Sequence, residues 1–416
     1  MKKLLKNKLY MLTFVNDMLS NFGDVVYYLA LMSYVLQLPD AKLAISIVSI
    51  SETLPILAGF VMGYFADRTT DKIKTILKTL YFRTGIYLLI GVVIGFKPSL
   101  WIVILAAFIN FLSDLAGQYE NGLYTPLSLR VVADEDRSDS YAFRQAAAAI
   151  LYIGFQSAGA ALVTVMSYQA LAFVNAGTFA LCALIMLGLK PSLEKLLVER
   201  PLEITKEVKG NLVKDMWNSM KLALRECLKL PEMRQSMVVV PVLNGVLNVV
   251  TIIIPVIISQ DKHFIIGNAV TTLALLTIFN LLGGILGNIL AMTVLKKLDL
   301  TLAIRLVTLL VPVFFFFIYI HEIHGVYATI FLITILAGAI NPKFAALIAN
   351  SMPEDKLAMI SGGVNTYFQI GSMLSRLVVA GLIVVLPIDV ISLIFLFIGF
   401  ALVVYAYRRR IRKVAA

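Results

Sequence analysis

Twelve long apolar stretches follow one another along the chain, near residues 9–36, 43–65, 76–96, 99–123, 143–166, 169–189, 236–258, 268–293, 303–320, 326–349, 358–386 and 389–407. Each holds about 20 residues, enough for a helix to cross a hydrocarbon core ~30 Å thick. The polar intervals between them are short, apart from the one running from Lys190 to Arg234. The pattern predicts an all-α membrane protein of twelve transmembrane helices. It also predicts three parts: residues 1–189 as one six-helix bundle, a linker over 190–235, and residues 236–416 as a second six-helix bundle.

Two internal echoes make the bundles pseudo-symmetric copies. Glu135-Asp136-Arg137 follows span four and Glu354-Asp355-Lys356 follows span ten, with Pro126 and Pro342 upstream. More faintly, Gly59 and Gly63 end span two, and Gly283, Gly284 and Gly287 approach the end of span eight. Duplicated halves are the arrangement of transporters whose site lies between repeats. Within the linker, Val213, Met216, Trp217, Met220, Leu224 and Leu228 recur at helical spacing, with lysines and arginines mostly off that stripe. This predicts an amphipathic helix lying on the inner leaflet.

Charge sets the orientation. Of 36 Lys and Arg, thirty fall on one set of alternate connections and three (Lys42, Lys97, Lys262) on the other, while Arg83, Lys343 and Arg376 lie within spans. The positive-inside rule then puts both termini in the cytoplasm, in a plasma membrane expected to be bacterial. It also accounts for the net charge of +11, which therefore gives no reason to expect a nucleic-acid partner. The first span is too long for a signal peptide and stays as a helix. Cys182 in a span and Cys227 in the linker suggest neither a disulfide nor a metal site. His263, His321 and His324 all fall on the outer side as solvated loop residues, and His321-Glu322-Ile323-His324 lacks the i, i+4 spacing of a helical zinc pair. No Gly-rich phosphate loop is present, so no cofactor, metal or ATP is expected.

The loop after span two reads Gly63-Tyr64-Phe65-Ala66-Asp67-Arg68-Thr69-Thr70-Asp71-Lys72. Through Gly63, Asp67, Arg68 and Lys72 it resembles the signature loop of the major facilitator superfamily. Phe22-Gly23-Asp24 with Ala30-Leu31, Pro55 before Gly59, Arg83 and Ala142 are similar to the macrolide-efflux-like, drug:proton antiporter branch. The resemblance implies two six-helix bundles rocking about a central site, export driven by a proton gradient, and a mostly monomeric protein. It further implies that Asp67 locks the outward-facing state against the start of span eleven, near Ser361-Gly362-Gly363.

Ionisable groups inside a bilayer cost about 2.5–3.5 kcal/mol or more and mark functional positions or ion pairs. Asp17, Asn21, Asp24 and Tyr28 share one face of span one, Glu52 is central in span two, and Asn110, Asp114, Gln118 and Asn121 form a stripe in span four with Glu120 beside it. Asp24, Glu52 and Asp114 are the candidates for carrying protons, Asp24 first. The competing reading has Arg83 neutralise Asp114 or Glu52 in a fixed pair. Asp17, Glu120 and Arg144 fall near the cytoplasmic interface, where a gate or a snorkelling role is open. In the second half, Asn244, Asn248, Lys343, Tyr367 and Arg376 are candidates for the substrate site. Lys343 and Arg376 either anchor an anionic substrate or pair with helix-end carbonyls or first-half acids. The run Phe314 to Phe317 wraps its helix and reads as lipid contact.

The expected function is secondary active export of amphiphilic, macrolide- or drug-like small molecules by alternating access, coupled to protons, with substrate, protons and membrane lipid as partners. A lipid or lysolipid translocator and a nutrient importer of the same fold are the alternatives, with a receptor or membrane enzyme more remote.

Overall fold

In the computed structural model, residues 2–35, 38, 41–94, 99–204, 212–229, 231–267 and 269–414 are described. Lys97, the span ends at 36, 95–96 and 268, and linker residues 205–211 and 230 lie outside the described residues. The described chain is helical throughout. Helices α1 (Lys2–Lys6), α2 (Lys8–Val35), α3 (Ala41–Leu57), α4 (Gly59–Arg68), α5 (Lys72–Val93), α6 (Leu100–Val131), α7 (Arg137–Val165) and α8 (Tyr168–Glu199) make up the first half. The linker carries α9 (Leu212–Lys229). The second half holds α10 (Pro231–Gln260), α11 (Ala269–Ala291), α12 (Leu300–Tyr319), α13 (Ile323–Ser351), α14 (Leu357–Val385) and α15 (Ile388–Val414).

Ten of the described helices are by themselves long and apolar enough to cross a membrane. The first predicted span is α2, whose 28 residues include Lys8, Asp17 and Asp24. The second is broken between α3 and α4. Pro55 lies inside α3, and the Ala58 amide reaches back only to the Pro55 carbonyl, at 3.0 Å. Proline has no N–H to bond back to Ser51, so the last turns of α3 are already weakened before the break at Ala58. Several helices run past their predicted ends on the side bearing the basic loops. Side chains cap several helix starts: Asp71 accepts from the Lys74 amide, Ser167 from Ala170 and Asp299 from Leu302.

The two acidic echoes fall on similar local structure, although the first turn begins one residue before the Glu135-Asp136-Arg137 triplet. Asp134–Asp136 and Glu354–Lys356 are both single 3₁₀ turns leading into a long helix, α7 and α14. By their contacts the residues group into two compact units. The first comprises Met1–Arg137, Ala147–Ala223 and Ile348–Thr366; the second comprises Ser138–Ala146, Leu224–Leu347 and Tyr367–Ala416. Relative to the predicted six-and-six division, the start of α14 joins the first unit and the start of α7 the second.

In the first unit α8 packs on α5 and α2, and α6 packs on α3, α4 and α5. Its core is aromatic at the centre: Tyr27 meets Tyr87 edge-on at 4.8 Å, and Tyr87 stacks on Phe179 at 5.5 Å. In the second unit α12 packs along α15, with α10 against both. Here the phenylalanine run departs from expectation. Phe314 and Phe315 are fully buried, Phe315 stacking on Phe395 of α15, and Phe316 is exposed. Four consecutive residues span more than a full helical turn, so a run on a packed helix supplies both its core face and its outer face.

Candidate functional site

Arg83 of α5 organises the membrane interior of the first unit. Its guanidinium, 4% exposed, donates to Asp24 Oδ2 of α2 at 2.9 Å. It also donates to Ser113 Oγ of α6 at 2.9 Å and Ser20 Oγ of α2 at 3.3 Å, and lies 3.8 Å from the centre of the Phe179 ring. The competing reading, in which Arg83 neutralises Asp114 or Glu52, is thereby corrected: its carboxylate partner is Asp24, the leading proton-carrier candidate. Sequence spacing showed which face each residue occupies, but not which of three neighbouring helices would present its acid to α5.

Asp114 and Glu52 instead share an amide. Asn110 Nδ2 donates to Glu52 Oε1 at 2.8 Å and to Asp114 Oδ2 at 3.2 Å, while the Tyr87 hydroxyl donates to Asn110 Oδ1 at 3.3 Å. Glu120, placed by sequence near the interface, is buried and accepts from Thr79 Oγ1 at 3.1 Å. The first unit therefore gathers Asp24, Glu52, Asp114 and Glu120 with one guanidinium. Asn21 turns back to Asp17, and Tyr28 packs on the core. Gln118 is half-buried and Asn121 exposed on α6. Sequence reasoning missed Tyr87, Ser113 and Phe179; a hydroxyl or ring in an apolar span carries no charge to draw notice.

The signature loop is built from backbone polarity. Asp67 is buried and accepts from two amides at the start of α14, Ala358 N at 3.0 Å and Met359 N at 2.8 Å. The first amides of a helix have no intrahelical acceptor and carry the positive end of its dipole, so a carboxylate suits that place. Burial lifts the Asp67 carboxyl to about 7, against the opposing pull of those two amides and of Lys72. Lys72 is buried and ties the loop by donating to the carbonyls of Ala66 at 2.6 Å and Thr69 at 3.2 Å. A Cβ on Gly63 would collide with the Ala358 carbonyl, and one on Gly362 with the Gly59 carbonyl. Glycines at this crossing let two helix backbones touch. Arg68 packs over Tyr64 and pairs with Asp215 of the linker helix at 2.8 Å, where the Tyr64 hydroxyl also donates at 2.5 Å. Nearby, Arg130 holds Glu354 through two bonds of 2.7 and 2.8 Å. Asp215 carries no sequence signal, because it reaches Arg68 from 147 positions away.

In the second unit the two intramembrane cations part company. Lys343 donates to the Leu295 carbonyl at 2.7 Å, to Lys296 at 3.2 Å and to Leu298, closing the chain turn after α11. It is a structural clasp: of its two open readings the contacts match pairing with carbonyls, and its place among the substrate-site candidates is corrected. Arg376 of α14 donates to Asn248 Oδ1 of α10 and is exposed. Asn248 in turn donates to the Asn244 carbonyl at 2.8 Å. Tyr367 lies nine residues before Arg376, about 180° round the helix, so the two do not share a face. At the other end of the unit His321 is not a merely solvated loop residue: Nδ1 meets Asp261 at 2.8 Å and Nε2 meets Asp389 at 3.1 Å. The imidazole holds the Asp261 carboxyl below its usual range. Among the described residues no group of three or more His, Cys, Asp or Glu is placed to hold a metal ion.

The loop latched on α14, the paired 3₁₀ turns and the intramembrane polar residues agree with one further finding. The profile of the Major Facilitator Superfamily matches residues 9–376. This chain belongs to the major facilitator superfamily. It is a secondary transporter, not an enzyme, and a multi-pass membrane protein. Among solved structures, a bacterial homologue of the iron transporter ferroportin in an outward-facing state is 14% identical, with a TM-score of 0.67, covering 98% of this chain and 100% of that one. A human organic anion transporter is 12% identical with a TM-score of 0.67, covering 95% and 99%. The E. coli fucose:proton symporter is 12% identical with a TM-score of 0.59, covering 97% and 99%. At such identities the likeness is one of fold. No curated protein sequence matches significantly. The superfamily is established; no branch within it, macrolide efflux included, is singled out.

Proposed function

We propose that this transporter exports amphiphilic, drug-like small molecules from a bacterial cell, driven by proton influx, with Asp24, Glu52 and Asp114 carrying the coupled protons and both termini in the cytoplasm. One observation carries the reading: in the membrane interior of the first unit, Asp24 meets Arg83 at 2.9 Å while Glu52 and Asp114 converge on Asn110. Intramembrane acids that outnumber their cations are where a protein can load and release protons. An Arg83 already held by Ser113, Ser20 and Phe179 can keep its place while Asp24 alternates between paired carboxylate and neutral acid. The long apolar spans, and the absence of acids from spans seven to eleven, suit a substrate with a substantial apolar part.

The test uses inside-out vesicles with an imposed pH gradient, acid inside, and a panel containing a macrolide, a cationic dye and a lysolipid. Uptake of at least one compound that collapses with a protonophore is expected. Uptake of every transported compound at a rate indifferent to the gradient would remove the proton-coupled reading.

A further inference from the structure

From Met233 to Gln260 of α10, and throughout α11, α12, α13 and α14, the sequence holds no Asp or Glu. Lys343 is saturated by carbonyls. That leaves Arg376, nine residues or about 14 Å from the end of α14, as a cation deep in a span whose partner among the described residues is a neutral amide. Arg83 has the opposite surroundings: a carboxylate, two hydroxyls and a ring.

The setting of Arg376 is also oriented. Asn248 spends its N–H on the Asn244 carbonyl, which turns its Oδ1 towards the guanidinium and leaves further guanidinium N–H groups open to a ligand. Asn365, Gln369, Ser372 and Arg376 follow at intervals of four, three and four, which puts them on one face of α14. Tyr367, Ile370, Leu374 and Val378 form the exposed apolar stripe on the other side. The apolar stripe is the one suited to hydrocarbon, so the polar face with Arg376 is turned away from lipid.

We infer that Arg376, positioned by Asn248 on the polar face of α14, is the anchor for an anionic oxyacid group, carboxylate or phosphate, on an amphiphilic substrate. A planar guanidinium fork matches such groups bidentately, and an incoming anion supplies the counter-charge that spans seven to eleven lack. The inference rests on the transporter reading, but it is tested by binding alone, so failure of proton-driven flux and failure of the anchor are separate results.

The whole protein, purified in a neutral maltoside detergent, is titrated with dodecyl phosphate, dodecanoate and dodecyltrimethylammonium, with affinity read by thermal shift and intrinsic fluorescence. Tighter binding of both anions than of the cation is expected. Arg376→Gln should weaken anion binding at least about tenfold, the scale of one charge-assisted contact, and leave the cation unchanged. Asn248→Asp, which supplies a resident carboxylate, should weaken the anions similarly without removing the arginine. Lysophosphatidylglycerol compared with dodecanoate then assigns the source, a lipid headgroup or a free acid, by which of them loses more on Arg376→Gln. Equal affinities for anion and cation in the natural protein, or anion binding that survives both substitutions, would overturn the anchor.

Discussion

Replacing Asp24 by Asn and Arg83 by Gln, singly and together, separates a proton carrier from a fixed strut. The Arg83 guanidinium is 4% exposed and the Asp24 side chain 33%. Removing one partner of a buried ion pair costs about 3–5 kcal/mol, because the other charge is left uncompensated. Arg83→Gln strands Asp24 and also forfeits the contacts to Ser113, Ser20 and Phe179, so it belongs near the upper end. Asp24→Asn leaves the buried guanidinium without its counter-charge but keeps an oxygen facing it and the contacts to Ser113, Ser20 and Phe179, which lowers the expected loss to about 2–4 kcal/mol. The double variant should be more stable than the sum of the singles by about 1–2 kcal/mol, since neither charge is then orphaned. Thermal unfolding in detergent measures the three losses, and proton-driven uptake in vesicles measures function. Asp24→Asn should be present and folded yet uncoupled, and the double variant should regain stability without regaining coupling. Full gradient-driven uptake by Asp24→Asn would refute the assignment of Asp24, and coupling restored in the double variant would show that the pair is only a strut.

Three further outcomes follow from other parts of the molecule. Gly362→Leu drives a side chain into the Gly59 backbone; it should cost about 1–3 kcal/mol of overpacking, read as a lowered unfolding temperature, and an unchanged temperature would contradict the close crossing. Asp67 titrates near 7 when latched and near 3.8 when free in water, so the latched form binds the proton more tightly; the latch is strongest below pH 3.8 and weakens as pH rises through 7. Amide exchange at Ala358 and Met359, corrected for its intrinsic pH dependence, should therefore quicken as pH rises from about 4 to about 7, level off above that in the natural protein, and lose that step in Asp67→Asn. Glu52→Gln retains an acceptor for Asn110 and should change stability by less than about 1 kcal/mol while shifting the pH profile of uptake; an unshifted profile removes Glu52 from the proton path.

Much of this was legible in sequence because a bilayer punishes local error. Apolar length alone located the spans, since any backbone in hydrocarbon must bond to itself, and α9 followed from its stripe of Met216, Trp217 and Met220. The Asp67 loop was legible because its residues are consecutive. What could not be read were pairings set by which helices become neighbours. Asp24 and Glu52 both lie in first-half spans, and their spacing does not say which one Arg83 of α5 will meet. For Lys343 the sequence left a substrate anchor and carbonyl pairing both open, because its three carbonyls come from a turn 45 to 48 positions away. Glu120 looked interfacial because sequence places it near a helix end, whereas α6 continues to Val131 and keeps it buried.

Helix α14 joins the two themes. Its first residues belong to the unit in which Asp67 accepts from Ala358 and Met359, and its remainder belongs to the unit in which Arg376 meets Asn248. The helix is unbroken and contains no proline between these points. The start of α7 repeats the device in the other direction: Asp139 joins the second unit through Lys296 at 2.6 Å, while the body of α7 from Ala147 groups with the unit that holds Asp24. Each of these two helices divides its residues between the units, and each is held near its start by a side-chain contact, Asp67 on α14 and Lys296 on α7.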